Sequence, residues 1–167
     1  MNDKLAQEDI RDMEKEIEHR KLVERQALLE SVKEARAQGD LSENFEYYAA
    51  KKAKNENESR IRYLERTIRT AQIVEDDMRE DQAGLNKSVT VKMLDDGSEE
   101  TYKIVTTMRG DSLSGRISIE SPLGRALMGH RTGDKVTVHV NSEISYDVEI
   151  IKIENTGLSE EDTIRSY

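Results

Sequence analysis

From residue 47 the positions 50, 54, 57, 61, 64, 68 and 71 advance in steps of three and four, reading Tyr, Ala, Lys, Asn, Ile, Leu, Ile, Ala. This is a heptad seam, the pattern that keeps one face of a helix against a partner. Upstream, Ile10, Met13 and Ile17 keep the same steps, as do Leu28, Val32 and Ala35. The gap from Ile17 to Leu28 is one that a helix absorbs as three slightly wide turns. Folding the two runs back on each other sets Ala35 opposite Tyr47, Leu28 opposite Lys54, Ile17 opposite Leu64 and Ile10 opposite Ala71. That steady register belongs to an antiparallel hairpin closing near residue 41. A coiled coil between two chains would use the same seam, but Gly39 places a break at the symmetry point. Each arm would be roughly 45 Å long. The seam is apolar at the open end and polar, at Lys54 and Asn57, nearer the tip. The open end is therefore expected to anchor the hairpin and the tip to project.

Composition agrees with a lean fold. Charged residues are 37% of the 167, the hydrophobic set 35% and aromatics 4%, with no Trp. That suits a solvated helix pair with a modest second domain. The net charge is -9, and acids outnumber bases in both halves, which excludes a broad basic surface for duplex DNA. A local exception runs through 51–69, where Lys51, Lys52, Lys54, Arg60, Arg62, Arg66 and Arg69 cluster. There is no Cys, so thiol and disulfide chemistry are absent. The polar N-terminus is no signal peptide and no apolar run reaches membrane length, so a soluble cytoplasmic protein is expected.

After residue 86 the period changes from helix to strand. Val89 and Val91 alternate, Asp95-Asp96-Gly97 turns, and Tyr102, Ile104 and Val105 follow. Ile117 and Ile119 mark a third strand, and Ser121-Pro122 opens a short helix that stops near Gly129. Gly133-Asp134 turns into Val136, Val138 and Val140, and Ile144 to Ile153 forms the last strand. The class is α+β: a hairpin over 1–76, a linker over 77–86, an antiparallel sheet domain with one helix over 87–155, and a loosely ordered tail over 156–167.

The stretch GDLSENFEYYAAKK, residues 39–52, holds three of the seven aromatics and two acids three apart, Asp40 and Glu43. Spacing alone makes Asp40 and Glu43 a capping-box variant at a helix start. The alternative is metal work, because two carboxylates on a tight turn offer hard oxygen ligands to Mg2+. Two are too few for a closed site and would complete one belonging to a partner. His19, His130 and His139 lack metal-ligand spacing, no Ser has a nucleophile's His–Asp pattern, and no phosphate-cradling Gly loop occurs. No stand-alone catalytic site is expected.

RAQGDLSENFEYYAAKKA (36–53), RIRYLERTIRTAQIV (60–74) and SPLGRALMGHRTGDKV (121–136) resemble, in order, the motifs of the bacterial transcript-cleavage factors of the GreA/GreB family, nearer its GreA branch. The resemblance implies a coiled-coil hairpin followed by an FKBP-like sheet domain. It also implies docking of that domain beside the secondary channel of bacterial RNA polymerase. The hairpin would enter the channel, and the tip acids would help hold a weakly bound Mg2+ while the polymerase cuts its own backtracked RNA. Asp40 and Glu43 match the two functional acids. Ser42, Asn44, Glu46 and Tyr47 match the residues shaping the tip, and Phe45 stands among them as a further tip-shaping residue. Lys51 and Lys52 fall near a basic patch that contacts extruded RNA, or else are a solvated helix face. Ser121, Pro122, Leu123 and Arg125 match a polymerase-docking loop, and can be a capped helix start at the same time. The resemblance further implies an accessory factor rather than an enzyme, with no cofactor bound to the protein alone, acting as a monomer.

Phe45 departs from the family's usual Ala, Tyr48 from its frequent His and Gln26 from its frequent Pro, and the tail is longer than usual. Phe45 could stack on a base or pack inside the turn. Three rivals remain: a paralogue that occupies the channel without stimulating cleavage, a prolyl isomerase, and a plain coiled-coil adaptor. The isomerase would need an aromatic-lined pocket, for which the second domain offers only Tyr102 and Tyr146 before the tail.

Overall fold

A computed structural model of the protein describes residues 3–39 and 44–166. The chain divides into two compact units, one holding Gln7–Gln72 and the other Lys4–Ala6 with Ile73 onward.

The first unit is a helical hairpin. Its outgoing arm is α1 (Gln7–His19), a π-helical turn (Arg20–Glu24) and α2 (Arg25–Ala37), and its return arm is α3 (Phe45–Thr70). The π turn lies inside the gap between Ile17 and Leu28, where the seam demands wide turns. Inserting one wide turn returns Leu28 to the side facing α3. Met13, Ala35, Ile61 and Leu64 are buried along the seam. The arms run antiparallel through Arg20 to Asn57, Arg25 to Glu58 and Arg36 to Tyr47.

Beside the π turn the seam is polar and buried. Asn57, 3% exposed, accepts from Arg20 Nη1 at 2.8 Å and donates to the Arg20 carbonyl at 3.3 Å. Glu16 accepts from Arg20 Nε and Arg60 Nε, each at 2.8 Å. Burial works to raise the Glu16 carboxyl, but the hydrogen bonds and charges of Arg60 and Arg20 outweigh it and hold the group below its ordinary value.

The second unit begins at β1 (Lys4–Leu5), which pairs with β2 (Gln72–Ile73) as a small two-stranded sheet. Its body is a five-stranded sheet of β3 (Ser88–Met93), β4 (Glu99–Val105), β5 (Arg116–Ser118), β6 (Lys135–His139) and β7 (Ser145–Glu154), in spatial order β5-β4-β3-β7-β6. One helix, α4 (Pro122–Leu127), packs on it. The sheet is mixed where an antiparallel one is expected. β5 runs parallel to β4, pairing Lys103 with Arg116 and Val105 with Ser118. The segment between them carries two 3-10 turns, Thr107–Arg109 and Ser112–Ser114, and turns the chain so that it re-enters in the same direction. A bulge shifts the β3–β7 register, with Thr90 opposite Lys152 and Val91 opposite Ile150. It changes the parity of β7, so that Val148, Ile150 and Ile153 all face the core while Lys152 stays out.

Two stretches differ from expectation. Residues 77–86, read as a linker, are built into the unit: Ala83 is fully buried in the core and exchanges backbone hydrogen bonds with Gly129 and His130. The tail is tied down as well. Asp162, 3% exposed, is ion-paired with Lys103 and lies 3.9 Å from Arg116 Nη1, and its carbonyl accepts from Arg109 Nη1 at 2.6 Å. Burial raises the Asp162 carboxyl, but Lys103 and the Ser159 backbone N–H hold it below its ordinary value overall.

Candidate functional site

At the hairpin tip the outgoing arm ends at Ala37, and Gly39 follows with φ 132, a conformation that L side chains rarely adopt. Asp40, Ser42 and Glu43 lie outside the described residues. The return arm starts at Phe45, and its cap is Asn44, whose Oδ1 accepts from the Tyr47 backbone N–H at 2.9 Å. Asn44 Nδ2 donates to the Ala35 carbonyl at 2.6 Å, so one side chain both caps α3 and ties it to the end of α2. Glu46 supplies the acid of the first turn. The cap and the first-turn acid of α3 are thus Asn44 and Glu46, and the capping-box reading of Asp40 and Glu43 falls outside the described residues.

Tyr47 is braced from the other arm. The Arg36 guanidinium stands 5.6 Å from the Tyr47 ring centroid and reaches its hydroxyl at 3.5 Å. That hydrogen bond holds the Tyr47 hydroxyl below the ordinary phenol value, and the charges of Lys51, Arg36 and Lys54 add to it. Tyr48 meets Tyr47 edge to face at 5.4 Å. Phe45 is 85% exposed, which settles one of its two readings: it does not pack inside the turn. Lys51 and Lys52 are exposed, and Lys52 stands 4.0 Å from Glu56.

In the second unit the docking-loop residues divide by role. Ser121 caps α4, accepting from the Gly124 N–H at 3.1 Å and donating to the Ser118 carbonyl at 2.6 Å. Leu123 is buried in the core. A Cβ on Gly124 would stand 2.1 Å from the Ser118 carbonyl oxygen, so the close approach of α4 to that strand end requires glycine. Pro122 and Arg125 are exposed, and Arg125 stands 3.6 Å from Glu120. Ser121 and Leu123 thus serve the fold, while Pro122 and Arg125 face outward.

Sequence reasoning did not find the Glu16–Arg20–Asn57–Arg60 network or the buried Asp162. The signal for the first was present, since Asn57 occupies a seam position opposite the irregular gap. For the second, an acid in a polar tail carries no such mark. Among the described residues no three or more His, Asp or Glu side chains gather to hold a metal, and no helix is long and apolar enough to cross a membrane.

Comparison with known proteins matches both units. Residues 4–73 match the family model described as Transcription elongation factor, N-terminal, and residues 78–155 match Transcription elongation factor, GreA/GreB, C-term. The chain is 44% identical over 146 residues to transcription elongation factor GreA of Streptococcus pneumoniae serotype 19F, covering 87% of this chain and 91% of the relative. It is 45% identical over 145 residues to GreA of Streptococcus sanguinis, covering 86% and 90%. Among solved structures, the GreA factor homolog 1 protein of Thermus thermophilus aligns with a TM-score of 0.43 and 24% identity, over 92% of this chain and 99% of that one. On the two family models and the curated relatives, the chain belongs to the GreA/GreB family of transcription elongation factors.

Proposed function

We propose that the protein binds bacterial RNA polymerase, inserts its hairpin into the secondary channel and stimulates the polymerase's own cleavage of backtracked RNA. The observation that supports this best is Asn44. Because Asn44 caps α3, the adjoining acids Asp40 and Glu43 are not required to start the helix. A hairpin whose return arm alone runs 26 residues, about 39 Å, has the length to reach a buried centre.

The donor set suits a shared ion only. Two carboxylates are hard oxygen ligands for Mg2+ but do not close a site. When held between factor and polymerase, Mg2+ supplies a Lewis acid that activates water and balances charge at the phosphodiester. Asp40 would hold this ion, and Glu43 would help hold it or orient the water. Lys51 and Lys52 attract the phosphates of the displaced RNA. Pro122 and Arg125, the outward residues of the α4 loop, fit the polymerase-docking role. The protein carries no complete active site in this reading and acts as an accessory factor. The test is RNA shortening in purified, deliberately backtracked polymerase complexes. Rapid shortening on adding the protein is expected. Binding without any shortening would leave a factor that occupies the channel and regulates transcription by that means.

A further inference from the structure

Phe45 is the single Phe of the chain and is 85% exposed. In a protein whose hydrophobic set is 35% of its residues, folding gains nothing from placing that ring in water. Tyr48, three residues on, is 50% exposed and lies on the same side of α3, about 4.5 Å further along the axis. Ala49, small and exposed, lies on that side too. Lys52 follows one turn beyond, with its side chain 79% exposed. This face points away from the seam positions Tyr47, Ala50 and Lys54. Tyr48 is held at its edge by Tyr47, and Tyr47 by Arg36, so its ring is positioned in advance.

Two aromatic faces followed by a cation on one helix face form a platform for single-stranded nucleic acid. Each base has a π-face to stack, and its phosphate seeks a positive charge. We propose that Phe45 and Tyr48 stack the terminal bases of the extruded RNA, with Lys52 drawing the adjoining phosphate. The proposal rests on the cleavage-factor reading and extends it. The tip would grip the RNA end by its bases as well as act beside its backbone. A flat exposed ring tolerates any base, so the shelf would show little sequence preference.

The test uses backtracked bacterial RNA polymerase complexes with 5-iodouridine at the RNA 3′ end, in magnesium-free buffer so that the RNA stays intact. Irradiation should link the RNA to the factor, and mass spectrometry should map the adduct to Phe45 or Tyr48. Phe45→Leu, which keeps an apolar side chain but loses the ring face, should lower the adduct yield about tenfold, the size of one lost stack, without changing retention on the polymerase. Phe45→Trp should retain the adduct. With Mg2+ restored, an abasic 3′ terminal residue should raise the half-saturating factor concentration for wild type and leave Phe45→Leu indifferent. Adducts on polymerase alone, with wild-type factor bound, would overturn the proposal and point to a protein surface facing these rings. A factor that is not retained on the polymerase would overturn the cleavage-factor reading itself, and the stacking shelf with it.

Discussion

The carboxamide of Asn44 joins the two arms of the hairpin: its Nδ2 donates to the carbonyl of Ala35 at 2.6 Å while its Oδ1 caps the helix that begins at Phe45. The last turn of one arm and the first turn of the other are therefore held by a single side chain.

Asn44→Ala is expected to cost about 1 kcal/mol through the lost cap and to speed hydrogen exchange at the Tyr47 amide. Asn44→Asp should restore protection at Tyr47, because the acceptor returns. It should not restore the tie to Ala35, which needs the N–H donor. Exchange rates read by mass spectrometry separate the two effects.

The Glu16 network makes stability depend on pH. The Glu16 carboxyl titrates below its ordinary value of 4.5 in the folded protein. Its contribution is therefore fully present above 4.5 and is lost as pH falls through the lower folded value. Urea denaturation of wild type and Glu16→Gln between about pH 7 and pH 3 checks this. The difference between the two should be largest at neutral pH and shrink toward the acid end.

The tail anchor should be costly to break from one side. Asp162→Ala leaves Lys103 without its buried counter-charge, while Arg116 keeps Asp111 at 3.3 Å, and is expected to cost about 3 kcal/mol. Replacing Lys103 and Asp162 together with Met and Leu should cost much less, since no charge is then stranded. Thermal unfolding of the two variants decides the point.

Where the chain repeats, its structure was legible. The seam residues Ile61 and Leu64, the alternating Val89 and Val91 and the Ser121-Pro122 helix start each announce their partners through local spacing. What local spacing does not record is a change of parity or direction. The bulge opposite Thr90 and Val91, and the parallel pairing of Ile104 with Ile117, depend on how distant strands meet. Ala83 and Asp162 sit in polar segments that look like linker and tail, yet their burial depends on surfaces formed by other residues. At the tip, the cap of α3 is Asn44, which the spacing of the acids before it did not single out. Spacing alone does not reveal where a helix actually starts.

The central claim is that Asp40 and Glu43 serve cleavage. The measurement is RNA shortening in backtracked RNA polymerase complexes at limiting Mg2+, comparing wild type, Asp40→Ala and Glu43→Ala while monitoring retention on the polymerase. The account predicts rapid shortening with wild type, and loss of at least about a hundredfold in both variants at unchanged retention, with part of the loss recovered as Mg2+ is raised. Variants that bind and cleave as well as wild type would contradict it.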